Sequence, residues 1–219
     1  MILVILALTI ALWCANVATN STMLFWMAVS LTIVTAILSF LFRNPHRTAR
    51  HMTDLDIISP ADGKIVGIGL ADESEFLKKR ALRISIFLSL LDVHVNWIPV
   101  SGVVMYKQHS DGKFLPAFTA RASDKNKRVC VGIQCADGFC MTVAQITGFV
   151  ARRIKCHLTP GQHIERGDRY GMIYLGSRVD VFVPPETTIM VNKGDRVRGG
   201  ITIIGRRNNL HGKDKSSVS

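Results

Sequence analysis

Three stretches of this 219-residue chain carry polar side chains that a hydrophobic core does not need. "SPADGKI" (59–65) holds Asp62 in a turn set by Pro60 and Gly63. "LLDVHVNWIP" (90–99) holds His94, which strand alternation puts on the same face as Asp92, Asn96 and Ile98, between Val93 and Val95. "YLGSRVDVFVP" (174–184) sets Gly176-Ser177 before a strand in which Val179, Val181 and Val183 alternate with Asp180 and Phe182. A hydroxyl, an imidazole and a carboxylate are the groups used where a serine is activated by a neighbouring base. Each also has a structural reading. Gly-Ser can simply open a strand, a strand histidine can be a satisfied core residue, and a turn aspartate can cap its own backbone.

The elements that must position these residues are short. "GKIVGIG", "LRISIFLS", "HVNWIPV", "GVVMYKQ", "RVCVGIQC", "FCMTVAQITG", "MIYLG", "VDVFVP", "TTIMV" and "GITIIG" read as strands separated by Gly/Asp turns. Such spacing predicts a mainly β barrel or sandwich. "ADESEFLKKRA" (71–81) is the one stretch with helical periodicity and reads equally as a charged loop. An internal echo joins "IERGDRYGMIYLG" (164–176) to "VNKGDRVRGGITIIG" (191–205), each a basic-Gly-Asp turn, a further Gly and an apolar strand. The echo resembles the hairpins of lipoyl- and biotin-carrier barrels and of membrane-anchored efflux adaptors. A non-enzymatic β-barrel scaffold on a membrane tether is therefore an alternative. Against it, no Lys sits at a hairpin tip in a Met-Lys context, and no heptad hairpin separates the echo halves.

The first 42 residues carry no charged side chain. Met23–Phe42 is an apolar run long enough, as a helix, to cross about 30 Å of hydrocarbon. Met1–Ala18 is a second, slightly short run, and "NVATNST" between them fits a tight turn. A cleaved signal peptide would need a basic n-region that is missing, so residues 1–42 are expected to be a membrane-anchoring helical hairpin and 43–219 the folded domain. Arg43, Arg47 and Arg50 follow the second run, with His46 among them, which puts the domain on the cytoplasmic face of the cell membrane. Five cysteines, odd in number and without C-x-x-C spacing, read as free thiols rather than a metal site, with Cys135 and Cys140 as cross-strand neighbours about the "ADG" turn. The net charge is +11, and from Lys193 onward seven Lys/Arg face two Asp. For a tethered protein the anionic leaflet is the nearer polyanion, so membrane rather than nucleic acid is the expected partner of that tail.

Read together and in order, "FRNPHR", "SPADGKIVG", "DVHVNWIPVSGVV", "KFLPAFTARAS", "GFVARRI" and "YGMIYLGSRVDVFVP" resemble the phosphatidylserine decarboxylase family, most closely its short form. The resemblance runs from Phe42 to Pro184. It implies a pyruvoyl-dependent proenzyme that cuts itself between Gly176 and Ser177 into a large chain, 1–176, and a small chain, 177–219. Ser177 attacks the preceding carbonyl, His94 is the base and Asp62 supports its imidazolium; elimination then leaves dehydroalanine, which hydrolyses to the pyruvoyl cofactor and ammonia. That group forms a Schiff base with the serine amine of the lipid and draws in the electrons released with CO₂. His94 then returns a proton, and the product is phosphatidylethanolamine. The headgroup chemistry is the same for ester- and ether-linked lipids. A rival within the enzymes, a pyruvoyl decarboxylase of a soluble amino acid, is disfavoured by the two apolar runs.

Two positions depart from the longer members of that family. Trp97 stands where they carry a second histidine, so any duty of that imidazole is absent or moved here. Arg178 follows the Gly-Ser pair where they have threonine. It is a candidate to hold a phosphate or carboxylate bidentately, or to pair with Asp180.

Overall fold

The structure is a computed structural model that describes residues 2–47, 52–119, 125–149, 153–174 and 176–208. It falls into two compact units, Met1–Pro45 and His46–Ser219. In the first, α1 (Ile2–Thr19) and α2 (Thr22–Leu41) form a helical hairpin that turns at Asn20, whose φ of 48° lies in the left-handed region that asparagine tolerates. The helices meet through the Thr9 and Thr35 hydroxyls, 3.1 Å apart, and through Trp13 Nε1, which donates to Thr32 Oγ1. Thr9, Thr32 and Thr35 also donate to carbonyls four residues back, so the polar atoms are satisfied inside an apolar hairpin. α2 is long and apolar enough to cross a membrane, whereas the first apolar helix is shorter.

The second unit is mainly β. An antiparallel eight-stranded sheet curls into a half-barrel in the order β13-β2-β3-β11-β7-β6-β5-β9. Its strands are β2 (Gly63–Glu73), β3 (Lys79–Leu88), β5 (Gly102–Ser110), β6 (Arg128–Gln134), β7 (Cys140–Ile146), β9 (His163–Ile164), β11 (Ser177–Val183) and β13 (Arg196–Val197). Two three-stranded sheets complete it: β1 (Asp56–Ile58) and β12 (Thr188–Ile189) flank β14 (Ile203–Arg206), and β4 (Val95–Trp97) and β8 (Ile154–Cys156) flank β10 (Arg169–Ile173). The main core collects Val179, Val181 and Val183 with Ile84, Ile86, Leu88, Val129, Val131 and Val143. The alternate residues of β11 face the other side, where Phe182 packs beside Cys130, Ala144 and Ile146.

Register brings one set of strand ends together. Ser177 lies opposite Leu88, Arg178 opposite both Phe87 and Ile146, Ile146 opposite Arg128, and Arg128 opposite Ser110. Residues 89–94, 111–119 and 147–149, which follow these strand ends, therefore start at the same end of the sheet as the Gly176-Ser177 peptide.

All ten expected strand stretches contain a strand; β1, β8, β9 and β13 were not anticipated. The 71–81 stretch is neither helix nor free loop. It is the turn of the β2–β3 hairpin, where the Glu73 carboxylate accepts the N–H groups of Glu75, Phe76 and Leu77 and so replaces the backbone partners of a tight bend. The "ADG" turn joins β6 to β7 with Gly138 at φ 84°, but register sets Cys140 opposite Gln134 rather than Cys135. The echo does not fold as two self-paired hairpins: β10 pairs with β4 and β8, β13 with β2, and β14 with β1 and β12. Part of the basic C-terminal stretch is used inside the domain. Arg196 pairs with Asp92 at 3.2 Å, Arg206 with Asp56 at 2.7 Å and Arg207 with Asp137 at 2.8 Å. Lys213 and Lys215 lie outside the described residues, as does Arg50.

Candidate active site

Ser177 opens β11, the strand between β3 and β7. It is fully buried, and its Oγ makes no hydrogen bond among the described residues. A buried hydroxyl without a partner costs free energy, so its presence here calls for a use. Gly176 before it has φ +69°, a conformation that a side chain would strain. The Gly176 carbonyl oxygen rests directly on Gly148, two residues past β7, and a Cβ at 148 would overlap that oxygen. The same Cβ would lie 3.1 Å from the Ala117 methyl, so the pocket that holds this carbonyl is tight on two sides. Leu90 closes over Gly176 itself, 3.8 Å from where a Cβ would be.

His94 immediately precedes β4 and is buried at 1% exposure. Its carbonyl accepts the N–H of Ile173 at 3.1 Å, which ties it to the end of β10 just before the Gly-Ser peptide. The face expected from alternation holds only in part, because β4 starts at Val95. Asn96 is buried and bonded to Gln145 Nε2 at 2.8 Å, whereas Asp92 sits in the preceding turn and accepts from Ser89.

Asp62 is held by a guanidinium and a backbone amide. Both of its oxygens accept from the Arg47 guanidinium, and Oδ1 also accepts the Gly199 N–H at 2.8 Å. Arg47 donates in addition to the Gly199 carbonyl at 2.6 Å and lies over the Trp97 ring, 4.6 Å from its centroid. Trp97 fits because Gly199 and Gly200 leave room; a Cβ at Gly199 would overlap its ring. The Trp97 N–H donates to the Pro60 carbonyl at 2.9 Å, which docks the Asp62 turn on β4. The fold brings the elements of Asp62, His94 and Ser177 together around β4 and β10: the Asp62 turn docks on β4, which His94 precedes, and His94 is tied to the end of β10 that leads to Ser177.

Arg178 is buried, and each of its three nitrogens donates one hydrogen bond. Nε donates to Asp180 at 2.6 Å, Nη1 to the Thr119 carbonyl at 3.0 Å and Nη2 to Ser85 Oγ at 2.5 Å. It lines a cavity of about 230 Å³ with Gly67, Arg83, Ser85 and Phe118. Burial pushes the Cys130 thiol up to about 12 and the Cys135 thiol up to about 11, which makes these two poor nucleophiles. Among the described residues no group of His, Cys, Asp or Glu is arranged to hold a metal ion.

Comparison with known proteins decides between the enzymatic and the scaffold readings. Residues 34–205, from within α2 to β14, match the family model for phosphatidylserine decarboxylase. The chain belongs to the phosphatidylserine decarboxylase family. Proteins named phosphatidylserine decarboxylase proenzyme resemble it over most of their length. That of Carboxydothermus hydrogenoformans is 45% identical over 183 residues, 83% of this chain and 85% of the relative. That of Amoebophilus asiaticus is 42% identical over 180 residues, covering 82% and 80%. That of Geobacter metallireducens is 39% identical over 199 residues, covering 91% and 90%. Membership in the phosphatidylserine decarboxylase family makes this chain an enzyme, a lyase that removes CO₂, and the inert-scaffold alternative falls away.

Three residues of the site were not singled out from sequence. Arg47 reads as a charge flanking a membrane span, and only its contact with Asp62 and Trp97 reveals another use. Gly148 and Gly199 stand in glycine-containing stretches, "ITGFV" and "RGGI", that read as ordinary loop punctuation. In both, the missing Cβ makes room for a specific partner.

Proposed function

We propose that this chain is a self-processing, pyruvoyl-dependent decarboxylase that converts phosphatidylserine to phosphatidylethanolamine and CO₂. The observation that carries this reading is the Gly176-Ser177 peptide itself: a buried hydroxyl without a partner follows a left-handed glycine whose carbonyl is braced on Gly148. Ser177 Oγ attacks the Gly176 carbonyl carbon, and the C–N bond breaks as the chain passes from amide to ester. His94 takes the hydroxyl proton. Elimination across Cα–Cβ of residue 177 releases the Gly176 carboxylate, and hydrolysis of the resulting dehydroalanine expels ammonia. The pyruvoyl group so formed supplies an electron sink for the pair released with CO₂.

The remaining work belongs to the side chains. His94, buried and tied to β10, returns a proton to the substrate carbon that loses CO₂; an imidazole can act in both directions near neutral pH. Asp62 is assigned to support the His94 imidazolium, and Arg47 and the Gly199 N–H hold its carboxylate in the turn that docks on β4. Arg178 fixes β11 beneath the reacting residue through Asp180, Ser85 and the Thr119 carbonyl. The enzyme acts at the cell membrane from its cytoplasmic side, held by the apolar hairpin with Arg43 at its flank.

Intact mass spectrometry of purified protein tests the reading. The expected result is two chains that meet between 176 and 177, the smaller with a blocked pyruvoyl N-terminus. Ser177→Ala is expected to remain a single chain that releases no CO₂ from phosphatidylserine vesicles. An active preparation made of one uncut chain with an ordinary Ser177 would refute it.

A further inference from the structure

The end of the sheet that holds the Gly176-Ser177 peptide carries large apolar side chains in the wrong place for a water-facing surface. Leu91, Phe118 and Phe149 are 65%, 63% and 69% exposed, and Leu90 beside them is 49% exposed. They come from three different loops, after β3, between β5 and β6, and after β7. Contacts tie those loops to the same peptide: Leu90 closes on Gly176, Gly148 next to Phe149 bears its carbonyl, and Ala117 next to Phe118 lies against Gly148. The Phe118 ring also meets the Phe87 ring edge-on at 6.1 Å, so it is a placed side chain. Exposed singly, such residues mean little; gathered around one peptide they mark an interaction surface.

The charges at this end select the partner. Asp111 and Asp92 are neutralised by Lys127 at 2.7 Å and Arg196 at 3.2 Å. Lys64, Lys113, Lys125 and Arg153 are exposed, and among the described residues none of them pairs with a carboxylate. Apolar tips ringed by unpaired cations fit an anionic bilayer, where aromatic and leucine side chains enter the headgroup–acyl boundary and Lys/Arg meet lipid phosphates. A second copy of this chain would have to bring like charge against like charge.

We propose that Leu91, Phe118 and Phe149 insert into the interfacial layer of an anionic membrane, with the four cations on the headgroups. This rim seats the Ser177 end of the sheet on the lipid surface. The seat is a property of the folded domain, separate from the apolar hairpin and from the basic C-terminal stretch.

Site-directed spin labelling of the full-length protein in vesicles tests it. Leu91→Cys, Phe118→Cys and Phe149→Cys are labelled one at a time, with Cys14, Cys140 and Cys156 replaced by Ala. Ala136→Cys, exposed in the β6–β7 turn at the opposite end of the sheet, is the reference. In vesicles of phosphatidylglycerol and phosphatidylcholine, the three rim labels are expected to lose collisions with an aqueous nickel complex and keep collisions with oxygen. The label at 136 is expected to stay open to nickel, and rim protection to weaken in pure phosphatidylcholine. Equal nickel access at all four positions would overturn the proposal. So would rim protection accompanied by spin–spin broadening that grows with the protein-to-lipid ratio, the signature of a second copy on this face. Protection unchanged without anionic lipid would overturn the role given to the cations. None of these readouts requires cleavage or turnover, so they stand or fall apart from the decarboxylase reading.

Discussion

Replacing Gly148 with alanine should stop maturation at the Gly176-Ser177 bond without unfolding the domain. The Gly176 carbonyl oxygen lies where the new methyl must go, and the carbonyl carbon is 3.0 Å from it. Restoring ordinary contact requires the carbonyl to retreat by roughly 1 Å or to rotate, and a misplacement of about 1 Å at a reacting centre can cost on the order of 100-fold in rate. Retreat is obstructed, because Leu90 lies over Gly176 and Ser177 is registered opposite Leu88. The assay is the appearance of the small chain on a denaturing gel after synthesis of the full chain, timed against Gly69→Ala. At Gly69 a Cβ meets nothing within 4 Å, so that variant should mature normally. Trypsin resistance equal to that of uncut Ser177→Ala separates a misplaced carbonyl from a misfolded domain. If folded Gly148→Ala is cut as fast as Gly69→Ala, the carbonyl is not positioned by this contact and the reasoning fails.

His94→Ala should slow self-cleavage by about 10²–10⁴-fold, the usual contribution of a general base, and normal maturation on the same gel would remove His94 from that role. Asp62→Asn should give a milder delay, since shape and the Gly199 contact survive while the charge is lost. Arg47→Ala leaves the Asp62 carboxylate buried without its counter-charge; breaking such a pair costs about 3–5 kcal/mol, which should lower the melting temperature in detergent by roughly 10 °C. Acid should destabilise the domain partly through Asp56. Burial pushes its pKa up, but hydrogen bonds from Arg206 and Thr53 outweigh burial and hold it below its usual value. Its stabilising contribution is therefore complete above the ordinary carboxylate range and is lost as pH falls through the depressed folded value. Arg206→Gln removes the charged partner, so the acid-induced fall in melting temperature should begin at higher pH than in the parent.

The strands were legible in the sequence because they depend on local rules. Period-two alternation fixes which face of β11 enters the core, and turn residues fix where strands stop, so ten short stretches could be placed without knowing their partners. Gly176-Ser177 raised a question because glycine before a strand needs a reason, but its candidacy rested on six motifs whose order resembles the family. What lay beyond those rules is pairing across long separations. The 71–81 stretch has helical spacing, yet β2 and β3 pair along their length and Glu73 folds the middle into a turn. Asp62 and His94 were named from their local settings, but that Asp62 belongs to Arg47 and Gly199 depends on a contact between segments 15 and 137 positions away. Gly148 under the Gly176 carbonyl, Trp97 under Gly199, and Leu91, Phe118 and Phe149 around one strand end are of the same kind. No window of sequence contains both partners of any of them. Each is decided when the sheet curls and its strand ends meet, because shape complementarity and charge pairing act through space, whereas alternation and turn chemistry act along the chain.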